Sequence, residues 1–251
     1  MLGHMVRHMT PSRRYRFPWR EGNRFEILVD SPAFFPRMLD AIGAARHYIL
    51  LEMYLFESGM VTDRFIDALL VAAGRGVSVR LLLDDYGAIA LNLRDRARLA
   101  HRGIEIVYYN PLPSYSTIYN LYRIIWRNID RGLYRNHRKL LLVDGRVAYT
   151  GGAGITDEVD SPSKPTMRWR ETMLEIRGPV LGDWQQLFAQ SWNKYAPTPL
   201  TLLEVTPETF AEGPRGRVTI NEARRRIGMQ RSLIRHIHGA RQRIWFATAY
   251  F

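Results

Sequence analysis

The run His137-Arg-Lys139-Leu-Leu-Leu-Val-Asp144 places three side chains that can do chemistry close together in the middle of the sequence. The chain has 7 histidines. Random placement of its residues would give an H-x-K-x4-D spacing with a probability of roughly 0.004. Lysine is itself unusual here, because the chain otherwise uses arginine and its lysines are Lys139, Lys164 and Lys194. This run is therefore the strongest candidate for an active site.

His137 and Lys139 are two residues apart in a predicted β-strand, so both side chains are expected on one face. An imidazole beside an ammonium group suits an anionic phosphodiester, because one nitrogen can attack phosphorus while the other balances the charge on its oxygens. A lone histidine is more often an ordinary structural residue, but the three spaced groups together favour catalysis.

The composition indicates a globular protein with a basic surface. Hydrophobic residues make up 46% of the chain, and the formal net charge is +12. Such a surplus indicates an anionic partner, either nucleic acid or an acidic membrane surface, although an arginine-rich solvated surface would give the same charge. The absence of cysteine excludes disulfide scaffolds, zinc–thiolate sites and thiol nucleophiles. No apolar run has the length of a membrane span and residues 1–24 are basic, so neither a transmembrane helix nor a signal peptide is predicted.

The elements that must position these groups alternate between short apolar strands and amphipathic helices, which predicts an α/β fold with a largely parallel sheet. Reactive groups are then expected at the carboxyl ends of the strands. Glu52, Asp84 and Asp85 lie at such ends and are candidates to line the crevice, although acidic strand ends are often only caps. Strands are expected at 25–29, 48–56, 77–83, 104–108, 140–143, 147–150 and 173–176, and helices at 37–45, 62–73, 91–101 and 180–195.

Residues 118–129 have the pattern of an amphipathic helix with an apolar, aromatic face and an arginine face. Such a segment can lie in a membrane interface. The alternative is a helix that packs on its own domain and leaves a solvated basic face. In the membrane interpretation the contacts come from Ile118, Tyr122, Arg123, Ile125, Trp126 and Arg127.

An internal similarity indicates two related lobes. Aligning Ala45 with Ala240 places like residues together in two predicted helix-to-strand transitions: Ile42 with Ile237, Arg46 with Arg241 and Ile49 with Ile244. The expected organisation is a basic extension at 1–24, a first lobe at 25–195, a linker at 196–217 and the start of a truncated second lobe at 218–251.

The candidate run resembles the phospholipase D superfamily, whose motif is H-x-K-x4-D-x6-G-[G/S]-x-N. The landmarks match at His137, Lys139, Asp144 and Gly151. Within the superfamily, the chain looks like bacterial cardiolipin synthases without amino-terminal membrane helices, over residues 19–251. The matching segments are WREGN, ILLEMYLF, LLLDDYG, NHRKLLLVDGRVAYTGG and EIRGPV. The resemblance implies a mixed, largely parallel sheet sandwiched between helices.

The resemblance also implies a role for each matched residue. His137 is one of two histidines that exchange phosphodiesters through a phosphohistidine, and Lys139 holds the phosphate. Asp144 belongs to the catalytic motif but is expected to be a structural partner at the turn. Glu171 is expected to orient and polarise the histidine, the alternative being a surface glutamate. The backbone amides of Gly151, Gly152 and Gly154 are expected to bind the phosphate, Gly154 replacing the family asparagine.

A second H-x-K motif is absent from these residues, because Lys164 and Lys194 follow Pro162 and Trp192 at that spacing. The active site is therefore expected to need a second lobe of the same chain or a second copy. The 251-residue chain alone is expected to be inactive.

Taken together, the residues and the resemblance predict a phosphatidyltransferase of the cardiolipin synthase type. It would act on anionic phospholipids as a peripheral protein on the cytoplasmic side of the membrane, with no cofactor and no metal. The alternative is a phosphodiesterase or endonuclease that acts on nucleic acid, for which the arginine surplus would bind the phosphate backbone.

Overall fold

The computed structural model describes residues 17–100, 103–111, 135–160, 169–201, 207–222 and 226–245. The chain forms two compact units. The larger comprises residues 20–216, and the smaller combines residues 1–19 with residues 217–251. The domain limits expected from the sequence stay predictions.

The larger unit is built on one sheet of seven strands and on four helices in its described residues. Its strands are β1 (Arg24–Val29), β2 (Tyr48–Met53), β3 (Ser78–Asp84), β4 (Ile104–Tyr109), β5 (Leu140–Val143), β6 (Val147–Gly151) and β7 (Thr172–Arg177). The helices are α1 (Ser31–Ala44), α2 (Met60–Gly74), α3 (Leu93–Leu99) and α4 (Leu181–Tyr195).

The sheet has the order β1-β7-β6-β5-β2-β3-β4 and is mixed, as expected. It is less parallel than the sequence pattern predicted. β2, β3 and β4 pair in parallel because helices α2 and α3 form the crossovers between them. The other neighbouring strands pair antiparallel. The hairpin turn at Asp144-Gly145 reverses the chain between β5 and β6. The next pairs, β6 with β7 and β7 with β1, are antiparallel as well.

Helices cover both faces of the sheet, which gives the expected α/β/α layering. Alternation along β2 sends Ile49, Leu51 and Met53 into the main core, where they pack with apolar side chains of α1, α2 and α3. The intervening residues of β2 face α4, and Tyr48 donates its hydroxyl hydrogen to Gln185 Oε1 at 2.9 Å. β2 is therefore buried on both faces.

Helix α1 begins earlier than the sequence pattern indicated. A start at residue 37 was expected because proline usually ends or breaks a helix. Pro32 instead occupies the first turn, where an N–H would have no intrahelical partner, and Pro36 lies inside the helix. The longer helix buries Phe34 and Phe35 in the core, which outweighs one missing hydrogen bond near its start.

In the smaller unit, the described residues form a two-stranded ladder and a helix. The strands are β8 (Asn221–Glu222) and β9 (Arg226–Ile227), and the helix is α5 (Gly228–Gly239). Helix α5 exposes Leu233, Ile234 and Ile237, with 45%, 44% and 39% of their surfaces accessible. Across the described part of the chain, no helix is long and apolar enough to cross a membrane.

Asp144 fixes the hairpin to the start of β2. Its carboxylate accepts three backbone N–H groups, from Arg46 at 2.8 Å, His47 at 2.9 Å and Tyr48 at 2.8 Å. The backbone N–H of Asp144 in turn donates to the Tyr48 carbonyl at 3.0 Å. The residue is 4% exposed and has a positive φ of 52°, a conformation that aspartate and asparagine tolerate better than most residues.

We expect Asp144→Asn to lower the free energy of unfolding by about 2–4 kcal/mol, because buried N–H groups would then face an amide instead of a carboxylate. Urea unfolding followed by circular dichroism measures this. The control is Asp67→Asn, whose exposed carboxylate pairs with Arg98 and whose loss should change stability by less than about 0.5 kcal/mol. Equal midpoints for the Asp144 variant and the wild type would contradict the structural role.

Candidate active site

The segment that carries His137 crosses the carboxyl ends of β2 and β3 immediately before β5. The sequence pattern predicted that His137 lies in a strand, but β5 begins only at Leu140. The His137 side chain is exposed, and its ring stacks on Tyr54 with 3.9 Å between centroids and 18° between planes. Tyr54 follows the end of β2, so an interior strand of the sheet positions the ring on which the imidazole lies.

Lys139 contacts the same tyrosine. Its half-buried ammonium nitrogen lies 5.4 Å from the Tyr54 ring centroid and donates to the His137 carbonyl at 3.0 Å. The Lys139 carbonyl accepts from the Thr150 hydroxyl at 2.8 Å, which holds this backbone against β6. The expected association of imidazole and ammonium therefore exists, with Tyr54 as their common contact.

Two effects lower the pKa of His137. Partial burial is the larger, and the neighbouring Lys139 charge is the second, while Asp84 acts in the opposite direction. Because the ordinary histidine pKa is about 6.5, the ring is uncharged at neutral pH and keeps a lone pair available for attack. Burial also lowers the pKa of Lys139, against which Glu171 acts.

Glu171 lies at the start of β7, beyond the end of β6. Its carboxylate packs directly against Gly152, so closely that a Cβ on Gly152 would overlap Oε2. It interacts electrostatically with Lys139. Among the described residues, no hydrogen bond joins it to His137, so its expected role in orienting the imidazole stays a prediction. The observed geometry favours a role through Lys139.

Asp144 lies at the opposite end of β5 from His137 and Lys139. The intervening four-residue strand spans about 13 Å. With its carboxylate committed to the β2 backbone, Asp144 cannot reach a phosphate held by the other two residues. Its expected role as a structural partner at the turn agrees with these contacts, and its place among the catalytic residues stays a prediction that they do not support.

Gly151 ends β6, and Gly152 and Gly154 follow it; all three occupy places where other residues approach closely. A Cβ on Gly151 would lie 2.8 Å from Met173 Cα, and one on Gly154 would lie 2.8 Å from Leu55 Cβ. The Gly152 N–H donates to the Thr172 carbonyl at 3.1 Å. This bond occupies the Gly152 amide and does not support its expected use for phosphate. The phosphate-binding roles of the three glycines stay predictions.

Glu52 and Asp84 do not line an open crevice. They are 0% and 1% exposed, and both accept hydrogen bonds from Asn136, the residue before His137. Glu52 also pairs with Arg138, the residue after it. Sequence reasoning missed their partners, Asn136 and Arg138. The position of Asn136 and Arg138 on either side of His137 was the available signal.

The proposed membrane contacts Ile118, Tyr122, Arg123, Ile125, Trp126 and Arg127 lie outside the described residues. Within the described ranges, no three histidine, aspartate or glutamate side chains come together as ligands for a metal ion.

Comparison with known proteins identifies the same region. A family model described as "Cardiolipin synthase, PLD-like domain" matches residues 38–192. The chain is 30% identical over 236 residues to cardiolipin synthase 1 of Bacillus anthracis, covering 90% of this chain and 44% of that protein. It is 30% identical over 242 residues to cardiolipin synthase A of Pseudomonas aeruginosa, covering 95% and 46%. The chain thus spans less than half the length of these curated relatives.

Among solved structures, NucT from Helicobacter pylori superposes with a TM-score of 0.50 at 13% sequence identity. The match covers 69% of this chain and 98% of that chain. At this level of identity the likeness concerns the fold alone.

We expect Lys139→Gln to raise the pKa of His137, because removal of a neighbouring positive charge makes protonation easier. The pKa should remain below the ordinary histidine value, since burial, the larger effect, persists. Titration of the ring proton resonances by NMR measures this shift. Lys194→Gln is the control and should leave the His137 pKa unchanged. An unaltered His137 pKa in Lys139→Gln would contradict the described contact.

Proposed function

The chain belongs to the family of cardiolipin synthase PLD-like domains, and from this premise we propose that it forms one half of a phosphatidyltransferase active site with His137 as nucleophile. The substrate is phosphatidylglycerol or a related phospholipid, and the acceptor is the hydroxyl of a second lipid. The observation that carries the proposal is the association of His137 and Lys139 on Tyr54, within the segment that the family model matches.

In the first step, a ring nitrogen of neutral His137 attacks the phosphorus of the phosphodiester. The new N–P bond replaces the P–O bond to the departing alcohol, whose oxygen takes a proton from a general acid. Lys139 balances the charge that accumulates on the non-bridging oxygens. The lowered pKa of His137 supports this role because only the uncharged ring can attack.

In the second step, the acceptor hydroxyl attacks the phosphohistidine. The N–P bond breaks, a P–O bond forms, and the acceptor proton passes to the group that acted as acid in the first step. His137 returns to its neutral form, so the exchange needs no cofactor. If water replaces the lipid hydroxyl, the same step becomes hydrolysis.

The proton donor must be a second imidazole, which we assign to a second lobe of the protein or to a second copy. The single H-x-K motif and the greater length of the relatives support this assignment. So does helix α5: by the internal similarity Ile237 corresponds to Ile42, which is fully buried in the first lobe, whereas Ile237 is exposed. The apolar face of α5 has the composition of a surface that packs in a complete lobe.

Attachment to the surface of an anionic membrane completes the proposal. The net charge of +12 and the arginines at 123 and 127 support it, because each basic residue near such a surface contributes about 1 kcal/mol. The cytoplasmic side is part of the same proposal, since anionic lipids concentrate there.

We expect His137→Ala to abolish transfer, with kcat at least about 10³-fold lower, because the nucleophile is lost. Full-length protein is expressed in cells, and their phospholipids are measured by mass spectrometry. The control is His47→Ala. The exposed side chain of His47 precedes β2, at the end of that strand opposite to His137. Cardiolipin-type product at wild-type levels in His137→Ala would refute the proposal. Cleavage of single-stranded DNA without lipid transfer would support the nucleic-acid alternative instead.

We expect Gly152→Ala to lower kcat about 10-fold, because the new methyl group displaces the Glu171 carboxylate that faces Lys139. Glu171→Gln should give a similar loss, and the double variant should lose no more than either alone. Gly182→Ala is the control, since a methyl group there meets open space on helix α4. Lipid transfer rates and thermal unfolding are both measured. A Gly152→Ala protein with wild-type kcat would contradict the role of Glu171.

A further inference from the structure

A buried polar network holds the chain on both sides of His137. On one side, the Asn136 backbone N–H donates to Asp84 Oδ2 at 2.8 Å, and the Asn136 side-chain amide donates to Glu52 Oε1. On the other, Arg138 makes an ion pair of 3.0 Å with the same Glu52 oxygen. The Asn136 side-chain oxygen links the two sides, accepting from Arg138 N at 3.2 Å and Nε at 3.0 Å.

Glu52 is the centre of this network and is poorly explained by stability alone. Its side chain is fully buried, and within the described residues its second oxygen, Oε2, has no hydrogen-bond partner. Burial raises its pKa, against the effects of Arg138 and Asn136. An apolar residue at this buried position near the end of β2 would avoid the desolvation of a carboxylate. The presence of a carboxyl group here therefore indicates a role other than stability.

The arrangement around His137 indicates what this role is. The side chain of His137 projects outward between two residues that are tied inward, and it meets the ring of Tyr54. Glu52 lies near the end of β2 and Tyr54 follows that end, so two nearby positions hold the backbone around His137 and receive its ring. Asp84 also binds this segment, but its carboxylate additionally accepts from Tyr86 and Gly87, so Glu52 is the more specific contact.

We propose that Glu52 is a positioning residue that, through Asn136 and Arg138, fixes the imidazole of His137 on Tyr54 in the orientation needed for attack. The kinetic consequence rests on the proposed function, whereas the orientation of the ring does not. Glu52 acts through its neighbours and touches no substrate.

The test replaces the ion pair as a whole in the full-length protein, with Glu52→Met combined with Arg138→Met. Replacing a buried pair by apolar residues of similar volume often preserves stability, so this variant separates folding from positioning. We expect an unchanged unfolding temperature, a kcat about 10- to 100-fold lower and a KM within about twofold of wild type. Glu52→Gln retains an acceptor oxygen and should recover most of the lost kcat.

A second measurement does not depend on the lipid reaction. Diethyl pyrocarbonate modifies uncharged histidine rings, and peptide mass mapping reports the rate at His137. We expect modification at least about threefold faster in the double variant, because the ring leaves Tyr54 and becomes more accessible. The control is Glu175→Met, which removes a buried glutamate paired with Arg37 and Arg177 at the β1 side of the sheet.

Failure of the two ideas can be told apart. If the wild type transfers no lipid, the proposed function fails, while faster modification of His137 in the double variant still supports the positioning role. A folded double variant with wild-type modification rate overturns the positioning role, whatever its kcat. If the double variant does not fold, Asn136→Ser, which shortens the tether, carries the same expectations.

Discussion

The antiparallel pairing of β2 with β5 is the interaction on which the site depends. It joins the parallel β2, β3 and β4 to the hairpin half of the sheet and sets Glu52 opposite Leu140. This register places the segment before β5 over the end of β2, so that Tyr54 meets His137. Asp144 secures the other end of the same pairing through three backbone N–H groups. A shift of one residue would turn every side chain of β5 to the opposite face and separate these groups.

The electrostatic arrangement separates the roles of the two nitrogen bases. The ring of His137 rests on an aromatic surface with no acidic hydrogen-bond partner among the described residues, and its pKa is lowered by burial and by Lys139. Burial lowers the pKa of Lys139, and the carboxylate of Glu171 acts against this effect by favouring the charged form. His137 therefore has a lowered pKa that leaves its ring available for attack, while Lys139 has a carboxylate that opposes the loss of its charge. The two side chains are only two residues apart and share Tyr54, but Asp84 acts on the pKa of His137 and Glu171 on that of Lys139.

The order of elements and the His137–Lys139 pair could be predicted from the sequence, because hydrophobic periodicity and close spacing are local properties. The strand β5 was predicted at its observed bounds, and most other ends differ by a few residues. The antiparallel pairing of β2 with β5 could not be predicted, since it joins residues about ninety positions apart. The same distance concealed the contact of Glu52 with Asn136, and it left Asp144 grouped with residues from which β5 separates it. Nothing in the local pattern distinguished the buried Glu52 from an ordinary acidic cap.

The close approach of Gly154 to Leu55 couples these two positions sterically. Any side chain at 154, including the asparagine of the family motif, would place its Cβ 2.8 Å from Leu55 Cβ and 3.1 Å from the Leu55 carbonyl oxygen. That loop cannot simply retreat, because Phe56 N–H is bound to the Gly87 carbonyl and the Leu55 carbonyl accepts from Ile155. An asparagine at 154 therefore requires a change in the loop at 55. This steric coupling between the motif and a loop about one hundred positions earlier is not visible in the motif alone.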